Sequence, residues 1–189
     1  MRASIGCATA LLLLSLPAAA TSLELEAAPG IAIGDDQLAG KGFALTGRLG
    51  VQTDWVTPSL AVFFAPFGAD RISHSRQDGA FEAWAVLAEL RFHNPGANQF
   101  SAGVGLGVGR LVTTQLENGD FERFQGTEAP YVELVAGYRH QGDSYRIGVD
   151  ATLHFFNRVD FYSDVSPGHR GQLLAFGLTV TLGCKLLDF

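Results

Sequence analysis

His154 and Asp150 are the residues of this sequence whose types and spacing come closest to a catalytic pair. They lie four positions apart with Thr152 between them, so all three point to one face if this segment is a strand. A histidine between a carboxylate and a hydroxyl is the arrangement that activates a nucleophile for acyl transfer. No serine is placed with them in the sequence. We therefore predict that the protein is not an enzyme and that His154 is a hydrogen-bonded interior residue.

A larger set of charged side chains shares one parity of the alternating segments described below. Buried charges have to pair because their desolvation is costly, so these residues predict either a charge-paired plug in a narrow lumen or an ion pathway with a gate. We favour the plug, with Arg48, Glu89, Glu133 and Arg146 in one network. The predicted lumen charge network is Arg48, Glu89, Arg91, Glu133, Arg139, Arg146 and Asp150, and Glu24, Glu26 and Asp54 have the same inward parity.

The elements that must position these charges are eight alternating segments. In the fifth of them, Phe100, Val104 and Leu106 alternate with Ser101 and Gly103. A strand with one large apolar face and one small or polar face lies between two different environments. The segments cover approximately residues 22–34, 43–55, 59–67, 81–93, 99–114, 129–141, 145–156 and 172–184.

The connections between these segments alternate between long and short. Residues 56–58, 94–98 and 142–144 are short, and Asn94-Pro95-Gly96 has the chemistry of a tight turn. Long and short connections therefore lie at opposite ends of one up-and-down antiparallel sheet, with both chain ends on the short-turn side. The long polar connections are residues 35–42, 68–80, 115–128 and 157–171.

Alternation alone also fits a soluble ligand-binding barrel whose apolar face turns inward. The many glycines and alanines on the polar parity favour the opposite orientation, because a barrel of eight strands has little interior room. The aromatic residues also gather at both ends of the segments, as two membrane interfaces require. The expected girdles are Trp55, Phe92, Phe100 and Tyr145 by the short turns, and Phe43, Phe64, Phe67, Trp84, Tyr131, Phe155 and Phe156 by the long connections. The fold prediction is all-β: an eight-stranded antiparallel up-and-down transmembrane β-barrel.

The N-terminus has the features of a secretory leader. Arg2 precedes an apolar run from Ala8 to Leu16, and small residues up to Ala20 follow. This pattern predicts a signal peptide at 1–20 and a barrel domain at 21–189, with an uncleaved N-terminal anchor as the alternative. Cleavage would leave Cys184 as a lone cysteine without a disulfide partner. The net charge of −6 comes without a basic run, so nucleic acid is not an expected partner.

At this point the chain resembles the eight-stranded outer-membrane β-barrel proteins of Gram-negative bacteria, the OmpA transmembrane-domain and OmpX-like families. The resemblance covers the barrel architecture, and its most specific part is the last strand at 177–182 followed by the terminal Phe189. It implies an outer-membrane location, contact with outer-membrane lipid and recognition by the barrel-assembly machinery. Lys185 to Asp188 depart from the pattern, so either the last strand is longer than drawn or Phe189 lies on a short tail.

The resemblance also bears on chemistry. Outer-membrane lipid A deacylases carry a local His-x-Ser pattern, whereas this chain has His154-Phe155-Phe156 at that place, so the match fails. We expect a structural or surface-interaction protein with a plugged polar lumen, four long extracellular loops and no cofactor or metal. The alternatives are a small channel or solute conduit and, less favoured, a lipid-modifying enzyme. The candidate contacts for an extracellular ligand, which the upper girdle explains equally, are Phe121, Phe124, Phe161 and Tyr162.

Overall fold

The computed structural model describes residues 20–34, 41–68, 80–117, 120–162 and 169–188. Among these residues there is no helix of sufficient length and apolar character to cross a membrane. All regular structure in them is strand. The strands are β1 (Ala20–Gly34), β2 (Lys41–Thr53), β3 (Val56–Gly68), β4 (Ala80–His93), β5 (Asn98–Glu117), β6 (Asp120–Gly126), β7 (Ala129–Gln141), β8 (Tyr145–Tyr162) and β9 (His169–Asp188).

The strands close into a ring in which every pairing is antiparallel. Neighbouring strands follow the chain order from β1 to β5, continue through β7, β8 and β9, and return from β9 to β1. β6 continues the wall of β7, because both pair with β5 and β8 and only residues 127–128 separate them. The predicted eight-stranded antiparallel barrel is confirmed, with its sixth wall element split in two.

The register fixes how strongly the strands tilt. Tracing paired residues around the ring from Glu24 leads back to β1 at Gly34, which is ten residues further along the strand. With about 3.3 Å per residue and about 4.8 Å between strands, this stagger gives a tilt of about 40°. A barrel of this size has an interior just wide enough for side chains to fill it.

The two faces of the wall follow the alternation. In β2, Leu45 and Leu49 are exposed on the outer surface, whereas Thr46, Arg48 and Gly50 are buried inside. The outward positions form a continuous apolar belt that includes the exposed girdle residues Trp55, Phe92, Phe100 and Tyr145 near the short turns. The sequence alone does not fix the parity of β3, because the large residues Phe63 and Phe64 are adjacent. In the structure Leu60, Val62 and Phe64 lie outside and Ala61, Phe63 and Ala65 inside.

The second aromatic girdle is smaller than predicted. Phe43, Phe64 and Trp84 are exposed on the outer surface near the long connections, as expected. The assignment of Tyr131 and Phe156 to this girdle was wrong, because both point into the lumen and are only 1% and 0% exposed. They share the parity of the inward Glu133 and His154 on the same strands. Phe155 is half-buried, and the side chain of Phe67 lies outside the described residues.

Several connections are shorter than predicted because the strands run further. Segment 115–128 is mostly strand rather than loop, since β5 continues to Glu117 and β6 pairs with it. β8 and β9 likewise extend into segment 157–171. β9 pairs with β1 up to Asp188, so residues 185–188 belong to the last strand. Residues 1–19 of the predicted signal peptide, Phe189 and the connecting residues 35–40, 69–79, 118–119 and 163–168 lie outside the described residues.

Candidate functional site: the lumen

The lumen has two layers of different chemistry. In β3, Ser59 lies beside the charged side chains, whereas Phe63, four residues nearer the long connections, lies in an apolar cluster. β4 repeats this order with Glu89 and Ala85. The short-turn half of the lumen is therefore charged and the long-connection half is apolar. The apolar cluster consists of Ala32, Ala44, Ala61, Phe63, Ala65, Ala83, Ala85, Leu87, Leu111, Ala129, Tyr131, Phe156, Leu173 and Ala175.

Arg48 is the hub of the charged half. Its Nη1 lies 2.9 Å from Glu26 Oε1, and its Nε lies 2.9 Å from Glu89 Oε2. Its Nη2 donates to Glu133 Oε1 at 3.4 Å, and Asp150 Oδ2 is 3.7 Å from Nη1. One guanidinium from β2 thus contacts carboxylates from four other strands across the barrel, with 4% of its side chain exposed.

Asp150 gathers the second group of charges. Its Oδ2 accepts hydrogen bonds from Arg91 Nη1 at 2.9 Å, Arg139 Nη2 at 3.1 Å and Thr181 Oγ1 at 3.1 Å. Arg139 Nη1 also lies 2.9 Å from Glu26 Oε2, which links this group to the Arg48 hub. Asp150 itself is fully buried. A buried carboxylate is tolerable in such a place because several charged donors compensate its desolvation.

The structure brings all seven residues of the predicted lumen network together. Each is at most 6% exposed, and six of them form ion pairs with one another. Arg146 lines the same cavity as Arg48, Arg91 and Arg139, but its ion pair is with Glu24. Glu24 and Glu26 join them, so five carboxylates face four guanidiniums. Asp54, which parity placed inside, is instead exposed in the turn between β2 and β3. The tight turn ends the alternation before this residue.

Arg146 connects the network to a polar vestibule at the short-turn end. Its Nη1 lies 2.7 Å from Glu24 Oε2, and its Nη2 donates to the side-chain oxygens of Gln52 and Gln141. Gln52 and Gln99 donate to Gln141 Oε1 at 2.8 and 3.0 Å. These amides form the floor of an open vestibule of about 370 Å³. Its rim consists of turn residues on three hairpins, including Asp54, Pro95, Gly96, Ala97, Gly142 and Asp143.

His154 lies between the two layers. Its Nε2 is hydrogen-bonded to Thr152 Oγ1 at 2.8 Å, and its Nδ1 lies 2.5 Å from the Tyr131 hydroxyl and 3.3 Å from Glu133 Oε2. The ring stacks on Phe63 with 4.1 Å between centroids. Thr152, His154 and Glu133 are therefore linked in the order hydroxyl, imidazole, carboxylate, which is the order of the groups in a catalytic triad.

This triad-like group is enclosed on all sides that the structure describes. Thr152 is 2% exposed and His154 1%, so the hydroxyl has no open face for a substrate. Gly177 of β9 packs against the pair, and a Cβ there would collide with Thr152 Oγ1. The carboxylate partner is Glu133, not the Asp150 that the sequence spacing suggested. The arrangement is that of a hydrogen-bonded interior histidine.

The candidate contact residues of the outer end lie on strands. Phe121 and Phe124 belong to β6, where they pair with Leu116 and Thr113 of β5. Phe161 and Tyr162 are the last residues of β8. The side chains of all four lie outside the described residues. Their backbones therefore belong to the extended wall of the barrel.

Two groups of lumen residues were missed in the sequence. The inward positions of Tyr131 and Phe156 follow from parity, since Tyr131 is two residues from Glu133 and Phe156 two from His154, whereas Phe63 lies in the segment whose parity the sequence leaves open. The amide floor carried no sequence signal, because three isolated glutamines meet only when the barrel closes. In the part of the chain that the structure covers, no group of three or more His, Cys, Asp and Glu side chains is arranged to hold a metal ion.

Comparison with known proteins identifies the fold. No protein-family model and no curated protein matches the sequence. Among solved structures, the Neisserial surface protein A matches with a TM-score of 0.64 at 11% identity over 88% of this chain and 99% of that one. A major outer membrane protein from Thermus thermophilus matches with 0.58 at 9% identity, over 88% and 100% of the two chains. The outer membrane protein OprG from Pseudomonas aeruginosa matches with 0.56 at 8% identity, over 89% and 98%.

These matches show that the fold is the same. The sequence identities are too low for the activity of any of these proteins to be assigned to this chain. The shared fold is the small outer-membrane barrel, and the apolar belt with its aromatic residues is the surface that such a barrel presents to lipid. The chain therefore has the fold of the small outer-membrane β-barrels.

Proposed function

We propose that this protein is a non-conducting, non-catalytic outer-membrane barrel whose function is surface interaction. The single observation that carries the proposal is the Arg48 hub, which joins β2 to four other strands across the centre of the lumen. Because these side chains fill the lumen, solutes cannot pass through it. The barrel instead holds the extracellular ends of its strands in place.

The packing of the lumen supports the absence of a pathway. The cavity among the charged side chains measures only about 20 Å³, which is room for about one water molecule. Beyond it lies the apolar layer, where Phe63, Tyr131 and Phe156 are at most 1% exposed. An ion entering that layer would lose its hydration without new polar partners, which is strongly unfavourable.

The unequal height of the wall supports a role at the outer surface. β5 and β9 have 20 residues and β8 has 18, whereas β2 and β3 have 13. At about 3.3 Å per residue and a tilt of about 40°, β5 rises about 50 Å and β2 about 33 Å, compared with an apolar band of about 25 Å. Because the short turns end together, the excess lies on the outer side. One half of the barrel therefore carries a raised rim, here defined as β5 beyond Val112, β6, and the adjoining ends of β8 and β9.

The raised rim contains the backbones of Phe121, Phe124, Phe161 and Tyr162. Aromatic side chains are the residues that most often anchor a protein partner. We propose an extracellular ligand for this rim and recognition of β9 by the barrel-assembly machinery during insertion. The burial of Thr152 and His154 supports a non-catalytic role, because a substrate has no access to them.

Shortening the rim tests the proposal. Thr113 and Phe124 are paired directly across β5 and β6, so residues 114–123 can be replaced by Asn-Gly, which closes a two-residue hairpin. Cells displaying the shortened protein are expected to keep a heat-modifiable barrel in the outer membrane and to lose adhesion to glycan- and protein-coated surfaces.

The matched control shortens the connection between β3 and β4. Gly68 and Ala80 are paired across β3 and β4, so residues 69–79 can be replaced by the same Asn-Gly turn. This variant is expected to keep the adhesion of the unmodified protein. Equal loss in both variants would contradict a role for the rim, and swelling of proteoliposomes in small sugars would show that the barrel is a conduit.

A further inference from the structure

Four unpaired polar atoms of the lumen belong to residues around one small cavity. Among the described residues, seven buried side-chain atoms have no hydrogen-bond partner. Four of them, Ser59 Oγ, Arg91 Nη2, Arg139 Nε and Arg146 Nε, belong to residues that line the cavity of about 20 Å³. All four side chains are more than nine-tenths buried. Buried polar groups in a folded protein are almost always hydrogen-bonded, so we expect these four atoms to bind a small ligand in the cavity.

The chemistry of the four atoms specifies that partner. Three are guanidinium N–H groups, which can only donate, and the fourth is a hydroxyl, which can donate as well. The partner must therefore accept hydrogen bonds, and the cavity admits a single heavy atom. A water molecule and a halide ion both meet these conditions.

The charge balance favours the water. The cavity wall includes the four guanidiniums of the network together with Glu24 and Glu26. The carboxylates of Glu89, Glu133 and Asp150 do not line the cavity but form ion pairs with Arg48, Arg91 and Arg139. The five carboxylates already exceed the four guanidiniums, so the site has no excess positive charge to hold an anion. A water adds the missing acceptor without adding charge.

The route to the cavity is set by Arg146. This side chain lines the cavity and also contacts Gln52 and Gln141, which line the vestibule. On the other side of the network the apolar layer around Phe63 closes the lumen. We propose that the cavity is a binding site for one water molecule, which enters from the periplasmic vestibule past Arg146.

Crystals of the refolded protein grown in sodium bromide test the occupant. The expected result is density in the cavity within hydrogen-bond distance of at least two of the four unpaired atoms, without an anomalous bromide signal. An anomalous signal there would overturn the assignment to water. An empty cavity, or one filled by a rearranged side chain, would overturn the site itself.

Thiol labelling tests the route. Ser59→Cys is made in a protein whose Cys7 and Cys184 are replaced by serine, and the new thiol is treated with methanethiosulfonate ethylammonium. Arg146→Ala and Arg146→Met are compared, each with Glu24→Gln so that no carboxylate loses its partner. Labelling is expected to be at least about tenfold faster with alanine, because reaction of a buried thiol follows the population of its open state.

Two controls keep this measurement interpretable. Ala85→Cys lies in the apolar layer and is expected to stay unreactive in both Arg146 backgrounds. Heat-modifiable migration of every variant verifies that the barrel is folded. Equal labelling of Ser59→Cys in the alanine and methionine backgrounds would contradict Arg146 as the barrier. Labelling of Ala85→Cys would contradict the closed apolar layer.

Discussion

Replacing Arg48 by methionine is expected to lower the free energy of unfolding by about 3–5 kcal/mol, the cost of removing one partner from a buried ion pair. Methionine keeps most of the side-chain volume, so the loss is electrostatic. Glu26 and Glu89, each 2.9 Å from the guanidinium, would lose their closest cation. The network would then hold five carboxylates against three guanidiniums. Adding Glu89→Gln restores the excess of one carboxylate found in the unmodified protein, so the double variant should be more stable than Arg48→Met alone.

Urea titration of the protein refolded in lipid vesicles measures these energies. Trp55 and Trp84 both lie on the outer surface, so their fluorescence reports transfer from lipid to water. Lys41→Met is the control, because Lys41 is exposed and its loss should change stability by no more than about 0.5 kcal/mol. A loss below about 1 kcal/mol for Arg48→Met, or a double variant less stable than the single one, would refute the network as a stabilising plug.

Three further substitutions probe the packing of the wall. Gly177→Ala would push a Cβ into Thr152 Oγ1 and is expected to cost about 1–3 kcal/mol in the same titration. Gly47→Ala is its control, since nothing in the described structure lies within 4 Å of a Cβ there. An equal loss of stability in both variants would contradict the conclusion that only Gly177 is closely packed. Leu134→Arg places a charge on the exposed apolar belt and is expected to cost about 2–4 kcal/mol; an unchanged midpoint would show that this face does not contact lipid.

The alternation predicted most of the barrel because two environments impose it on every strand. Leu45 and Arg48 could be assigned to lipid and lumen before any pairing was known, and the observed burial follows that assignment. The limits of the strands were less predictable, since residues 120–126 are polar but still find partners in β5. A polar segment above the membrane forms strand when a neighbouring strand extends with it.

The site was predictable as a set of charges but not as a geometry. Parity placed Glu133 and Arg48 on the inside, whereas their contact depends on a stagger of ten residues that no single strand reveals. The register between the neighbouring strands β7 and β8 pairs His154 with Glu133, so Glu133 and not Asp150 is its carboxylate partner. The sequence pattern assigns Tyr131 to the lipid interface, because aromatic residues near strand ends usually lie there. Its inward parity instead places the side chain in the lumen.

Ion conductance of the refolded protein in a planar bilayer tests the central claim most directly. A lumen filled by the Arg48 network and closed by the apolar layer around Phe63 predicts a current no larger than that of the bare bilayer. Steady single-channel steps that change when Arg48 is replaced would contradict the claim, because they would show that ions pass through the network.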